Sequence, residues 1–394
     1  AEAVSAMPTV TERQRELRNV ACIVGVDESD QIGTLPNVSQ LSLHLEAITN
    51  AVRDAGLKVE DVDGIFTAGQ HSPATLGEAL GLKPRYVDGT TVGGCSFIIM
   101  VGHAVAALHH GLCDVALVSH GESGRSGTGV TRSRDTALSG QFEFPYGFGG
   151  ATSYFGMITT RHMHEHGTTL EQWAQVAVST RKWAALNPKA RFRDPITVAD
   201  VLSSRPVSYP FNLLNICLVT DAGGAVVLTR ADRAKDCAKP PVYVRGFGEA
   251  TEHVMVTQMD SLSVSAATRL AGERAFSMAG ASGKDFNHVM LYDAFTSGPP
   301  IMLESLGLAK PGEGVQFFTE GRSTPGGSLP INTNGGGLSY THSGMYGIFP
   351  IIEATRQLRG ECAARQVPGA SCSLVNGMGG MLSAAGTLVL ANRT

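Results

Sequence analysis

With 394 residues, 43% of them hydrophobic and 17% charged, the chain is long enough to bury a large core and too apolar to be disordered. A net charge of −4 leaves no electrostatic footprint for nucleic acid, and no run of about 18 apolar residues is present to span a membrane as a helix. The seven cysteines (Cys22, Cys95, Cys113, Cys217, Cys237, Cys362, Cys372) are odd in number, scattered, and without a C-x-x-C pair. That pattern argues against a disulfide framework or a cysteine-built zinc site and for a reducing compartment, read as the cytoplasm. Ala1 to Met7 lack the basic start and apolar centre of a secretory signal.

In chain order, a buried strand is expected at 20–25, an amphipathic helix at 43–54 stopped by Ala55-Gly56, and a second strand through Ile65-Phe66. The small-residue turn Val92-Gly93-Gly94-Cys95-Ser96 leads into an apolar helix pattern at 98–110. A wholly apolar strand follows at 115–119, of the kind buried in a sheet covered on both faces. A long excursion from 121 to about 210 then carries the aromatic run Phe142-Glu143-Phe144-Pro145-Tyr146 and helical patterns at 154–166 and 170–186. A stretch of this length is more often a functional cap than slack loop, and substrate binding and subunit contacts are assigned to it.

The second part of the chain repeats the first. Ala55-Gly56 followed by Asp61-Val62-Asp63-Gly64-Ile65-Phe66 has a counterpart at identical spacing in Ala279-Gly280 followed by Asp285-Phe286-Asn287-His288-Val289-Met290. Each is preceded by a helix pattern, the second at 264–278, and by a strand, the second at 242–246. Strands at 221–228 and 384–390 close the two halves, and 371–375 matches 115–119. The seam falls at 230–241, polar and ending in two prolines. Two halves, 1–235 with the cap at about 121–210 and 236–394, predict an α/β fold: a five-layer αβαβα sandwich. Its two central helices would start, after Cys95 and after His342, near a pseudo-twofold axis.

Cys95 is the first candidate for chemistry. A thiol where a turn meets a helix faces free N–H groups and the positive end of the helix dipole, which favour thiolate. The alternative is an inert buried cysteine. About 250 residues on, the glycine-rich loop Asn334-Gly335-Gly336-Gly337-Leu338-Ser339-Tyr340-Thr341-His342 delivers a histidine, and a Cys/His pair from distant segments is the usual arrangement for thiol nucleophiles. His162, His164 and His166 alternate on a helical pattern, so they point to different faces and no metal site is expected.

Gly94-Cys95-Ser96, Asn187-Pro188-Lys189-Ala190, Asp221-Ala222-Gly223-Gly224-Ala225, Asn334-Gly335-Gly336 with His342, and Gln357-Leu358-Arg359-Gly360 stand in the order of the thiolase superfamily. The chain resembles that family over nearly its whole length, most closely the sterol-carrier-type, lipid-transfer branch. The resemblance implies that Cys95 is an acyl-accepting nucleophile and His342 its base. It also implies an oxyanion hole from the backbone at Cys95 and at Gly377, Met378 and Gly379, and substrate contacts from Phe295, Tyr340, Ser343 and Tyr346. Coenzyme A is then a substrate, with no tightly bound cofactor. Dimers or larger oligomers are implied, and a small zinc-ribbon/OB-fold subunit is a possible partner. Arg125, Arg132 and Arg134 are candidate anchors for CoA phosphates, although a solvated charged loop is the simpler reading of them.

Two positions depart from the family pattern. Asn376 stands where thiolases carry a second, acid/base cysteine; an amide can position or bond a substrate carbonyl, but it cannot exchange protons near neutral pH and so cannot be the base for a Claisen step. Tyr292, in Tyr292-Asp293-Ala294-Phe295, replaces an asparagine; this turn is similar to that of steroid side-chain retro-aldolases, which split β-hydroxyacyl-CoA with tyrosines. The first expectation is thiolysis of a β-ketoacyl-CoA with a bulky or aromatic acyl group, as in benzoylsuccinyl-CoA thiolases, through an acyl-cysteine. The alternatives are a tyrosine-driven retro-aldolase and a non-catalytic acyl-CoA-binding subunit.

Overall fold

The computed structural model describes residues 10–128 and 138–394; Arg132 and Arg134 lie outside them. The first half runs β1 (Ala21–Glu28), α1 (Gln40–Asp54), β2 (Gly64–Thr67), α2 (Pro73–Leu80), β3 (Tyr86–Asp88), α3 (Ser96–His109) and β4 (Val115–Ser123). Helices α4 (Ala151–His166) and α5 (Leu170–Ala185) occupy the excursion, and β5 (Asp221–Arg230) ends the half. The second half runs β6 (Val242–Thr251), α6 (Ala266–Ala279), β7 (His288–Leu291), α7 (Gly298–Ser305), α8 (Ile348–Arg359), β8 (Cys372–Gly379) and β9 (Ala384–Ala391). Local chemistry accounts for the helix limits. Ser39 caps α1 by accepting from the Ser42 N–H, Thr169 and Gln172 form a reciprocal capping box on α5, and Gly280 and Gly360 end α6 and α8 in the left-handed conformation.

The strands form one nine-stranded sheet in the order β3-β2-β4-β5-β1-β6-β9-β8-β7. β2 pairs with β4 in parallel, as β7 does with β8; β4–β5 and β8–β9 are antiparallel, as are β5–β1 and β9–β6. The two halves therefore share one strand order. Sequence suggested two separate sheets; instead β1 and β6 join them, but only over Cys22 with Tyr243 and Ile23 with Val242.

So short a seam lets the sheet fold over. Against the sheet, helix α1 packs mainly on β1, β4 and β5 and α6 on β6, β8 and β9, while α3 and α8 pack on strands of both halves and on each other. The layers are α, β, α, β, α. A helix covered on both sides must be apolar all round, and α3 is: Phe97, Ile98, Ile99, Met100, Val101, Ala104, Val105 and Leu108 are all buried. Strand β3 and helix α2 gave no sequence signal, because a three-residue strand at the sheet edge with no fully buried position carries no periodicity.

Candidate active site

The starts of the two central helices meet. A Cβ placed on Gly347, just before α8, would overlap the Gly94 carbonyl oxygen and lie 3.6 Å from Cys95 Cα. Close approach of backbone to backbone is what requires glycine there. On the other side of Cys95 runs β8: a Cβ on Gly379 would sit 2.8 Å from the Cys95 Sγ, and one on Gly377 would lie 3.6 Å from Cys95 Cα and Cβ. Gly93, at φ +87°, abuts Gly379 and Gly380.

Cys95 is fully buried. Loss of water pushes the thiol up to about 12, with Glu249 adding a smaller push in the same direction. No hydrogen bond joins the Cys95 thiol to His342 among the described residues; His342 Nε2 instead bonds the Tyr292 hydroxyl at 3.0 Å. The same hydroxyl accepts the Tyr346 backbone N–H at 3.0 Å, which leaves its own proton and one lone pair for the contact with His342. Burial lowers His342 to about 4, which leaves the imidazole neutral. Burial also raises Tyr292 above its ordinary range, so the phenol is protonated at rest.

Tyr292 reaches Cys95's turn. A Cβ on Gly94 would overlap the Tyr292 ring, 2.5 Å from the hydroxyl oxygen. His342 and Tyr346 both meet the Tyr292 ring edge-on, at centroid distances of 5.6 and 5.5 Å. Tyr292 follows β7, and its N–H donates to the Asn376 carbonyl of β8. The loop carrying His342 is held by Asp293, whose carboxylate accepts the Gly337 N–H at 2.6 Å and the Leu338 N–H at 3.4 Å. Thr220 bonds His342 both ways through its backbone N–H and its hydroxyl. Asp293→Ala is expected to destabilise the fold by about 1–3 kcal/mol for each amide left without a partner, read as a lower urea midpoint with unchanged slope.

The remaining sequence candidates are placed as follows. The Asn376 Nδ2 is spent on the Gly386 carbonyl and Thr387 hydroxyl of β9, leaving its Oδ1 buried without a partner. Gly377 and Gly379 face Cys95, whereas the Met378 side chain lies on the other face beside Gly298. Phe295 is stacked on Phe155 of α4 at 4.5 Å and packed on Phe211, a core role. Ser343 bonds His120 Nε2 at 2.8 Å. Tyr346 donates to Asn334 Oδ1 at 2.8 Å while its backbone serves Tyr292. Tyr340, although two residues from His342, packs on Phe349 with Glu28, Arg356 and Glu353 as its charged neighbours, apart from the Tyr292 hydroxyl.

Two acids escaped the sequence reading. Asp293 sits in the quoted Tyr292-Asp293-Ala294-Phe295 turn, and its service to a glycine-rich loop left no sequence signal. Glu122, at the end of β4, packs its carboxyl on Gly344, two residues past His342, where a Cβ would lie 2.5 Å from Oε1. Its Oε2 is buried without a partner, burial pushes the carboxyl up to about 7, and its charge bears on Tyr292. A cavity of about 430 Å³ lined by Val92, Ile99, His103 and Glu249 lies on the Cys95 side, and one of about 700 Å³ lies on the outer face of α4. His103 is held between Asp88 and Glu249, which raise it to about 9.

Residues 248–392 match the family model of the thiolase C-terminal domain-like region. The 17-hydroxy-3-oxo-4-pregnene-20-carboxyl-CoA lyase of Mycobacterium tuberculosis is 34% identical over 87% of this chain and 92% of its own length. The chain belongs to the thiolase superfamily, in its sterol-carrier-type branch. Another thiolase-superfamily relative, an acetyl-CoA acetyltransferase of Methanothermobacter thermautotrophicus, is 30% identical over 92% of this chain and 97% of its own length. Among solved thiolase-fold structures, the Ltp2-ChsH2(DUF35) aldolase superposes with a TM-score of 0.89 and 29% identity, covering 96% of this chain and 99% of that one. This thiolase-type chain is therefore an enzyme, and its relatives split between acyl transfer and carbon–carbon lyase chemistry. Membership alone does not choose between them; the site must.

Proposed function

We propose that the chain is a retro-aldolase that cleaves the bond between the α and β carbons of a β-hydroxyacyl-CoA, with Tyr292 and His342 as its proton-handling couple. The observation that carries this reading is the 3.0 Å bond between the Tyr292 hydroxyl and a neutral His342, with no hydrogen bond from the Cys95 thiol to that histidine among the described residues. The lyase and aldolase names of the two relatives support it.

The substrate's β-hydroxyl gives its proton to the Tyr292 oxygen as Tyr292 passes its own to His342 Nε2. The Cα–Cβ bond then breaks, the β carbon becomes a ketone or aldehyde, and the electron pair moves into the thioester as an enolate. Protonation of the α carbon completes an acyl-CoA. No free CoA is consumed. Glu122, a carboxyl of near-neutral pKa coupled to Tyr292, is the proposed donor to the enolate, and solvent exchange resets both groups. The acceptor His342 must be neutral and the donor Glu122 protonated, so kcat/KM is expected to fall below about pH 4, to hold up to about pH 7 and to decline above it. Glu122→Gln is expected to lower the plateau and abolish that limb; a limb that persists unchanged assigns it elsewhere.

A partner like the DUF35 protein in the neighbour's name is the proposed companion subunit, within a dimer or larger assembly, and CoA is proposed only as part of the substrate. The position of Cys95 at the start of α3, against Gly377 and Gly379, favours a second reading: thiolysis of a β-ketoacyl-CoA through an acyl-cysteine. The two are separated by incubating the protein with β-hydroxyacyl-CoA alone and with β-ketoacyl-CoA plus CoA, then weighing the Cys95 peptide. Cleavage in the first tube without an acyl adduct is expected; an adduct formed only in the second would establish thiolysis.

A further inference from the structure

The alternating histidines of α4 do not all diverge. His162 and His166 are four residues apart and share one helix face, with ring centroids 4.7 Å apart, and the chain brings Glu304 of α7 to the same place. One nitrogen of each histidine and a carboxylate oxygen of Glu304 all lie within 4.8 Å of one another. His162 is fully buried, as is nearly all of the Glu304 side chain.

We propose that His162, His166 and Glu304 form a metal site for a borderline-soft divalent cation of the zinc class, with solvent as a fourth ligand, that braces the inserted helix α4 against α7. Two histidine nitrogens and one carboxylate are a donor set that suits such a cation, and three protein ligands leave one position for water. The outer partners a metal site needs are already present. His162 Nδ1 bonds the Thr168 hydroxyl at 3.1 Å, fixing the ring so that Nε2 faces Glu304 Oε2 at 3.0 Å. Glu304 Oε1 is held by the Gly314 N–H at 2.9 Å, which turns the other oxygen inward. Room for the second imidazole is built in: Gly312, at φ +81°, lies against His166, where a Cβ would come within 2.8 Å of the His166 Cβ. A buried His162–Glu304 pair alone would need neither His166 nor that clearance.

The site would act on the fold. Helix α7 begins five residues after Asp293, and Thr159 of α4 already bonds Ser297 at its start with a 2.8 Å hydroxyl contact. A cation there would tie the cap to the segment that carries Tyr292.

The test is metal binding by the intact chain after chelator treatment, with Zn²⁺ measured by equilibrium dialysis and elemental analysis and Co²⁺ as a spectroscopic probe. One Zn²⁺ per chain is expected, with a higher melting temperature in its presence. The Co²⁺ spectrum should show ligand-field bands without a thiolate charge-transfer band, since seven cysteines are the competing donors. His166→Gln, at a partly exposed position that tolerates the change, and Glu304→Gln should each weaken binding at least about tenfold with secondary structure retained. Cys95→Ala should leave binding unchanged. No stoichiometric metal, full retention of metal in His166→Gln, or a thiolate band would each overturn the assignment.

Discussion

Tyr292→Phe is expected to lower kcat for β-hydroxyacyl-CoA cleavage by about 10²- to 10⁴-fold, the usual range for removing a positioned acid/base group. The ring is kept, so its edge-on packing against His342 and Tyr346 survives and only the hydroxyl is lost. That hydroxyl bonds both the Tyr346 N–H and His342 Nε2, so stability should fall as well, by about 1–3 kcal/mol per buried group left unpaired. The two effects separate by measurement. Thermal unfolding should shift modestly with far-UV circular dichroism unchanged, whereas turnover at saturating substrate collapses. A wild-type kcat in a stably folded Tyr292→Phe would remove the phenol from the reaction.

Gly94→Ala is the second large effect. Its methyl would overlap the Tyr292 ring and lie 2.5 Å from the hydroxyl oxygen, a separation side chains do not sustain. Tyr292 cannot swing aside freely, since it is enclosed by His342, Tyr346 and the strand β8 that its N–H bonds. The expected result is a displaced phenol with its bond to His342 broken, and activity lost as fully as in Tyr292→Phe. Overpacking a tight core commonly costs about 1–3 kcal/mol, so a lower melting temperature accompanies the loss. Gly94→Ala with unchanged kcat and an unchanged tyrosine environment in near-UV circular dichroism would show that Tyr292 does not stand over this turn.

Much of the layering was legible because burial on two sides leaves a plain signal. Helix α3 reads as apolar all round, β4 opens on the apolar run Val115 to Val118, and the matched Ala-Gly stops after α1 and α6 place the same helix-to-strand step in both halves. The site was harder to read. Sequence shows that Cys95 precedes a helix but not that α8 and β8 close over it and bury its thiol. Proximity along the chain misled for Tyr340, which the turn Gly336–Tyr340 carries toward Glu28 and Arg356 while His342 goes to Tyr292. Helical spacing was misjudged at His162 and His166, where the alternating step through His164 hid a pair on one face, and Glu304 comes to them from far along the chain.

The most direct test assays Cys95→Ala and Tyr292→Phe side by side on one β-hydroxyacyl-CoA, with ketone or aldehyde release followed in the absence of free CoA. Cys95→Ala should retain most of the wild-type turnover and Tyr292→Phe almost none. The opposite pattern, activity lost with the thiol and kept without the phenol, would contradict the account and return the chemistry to sulfur.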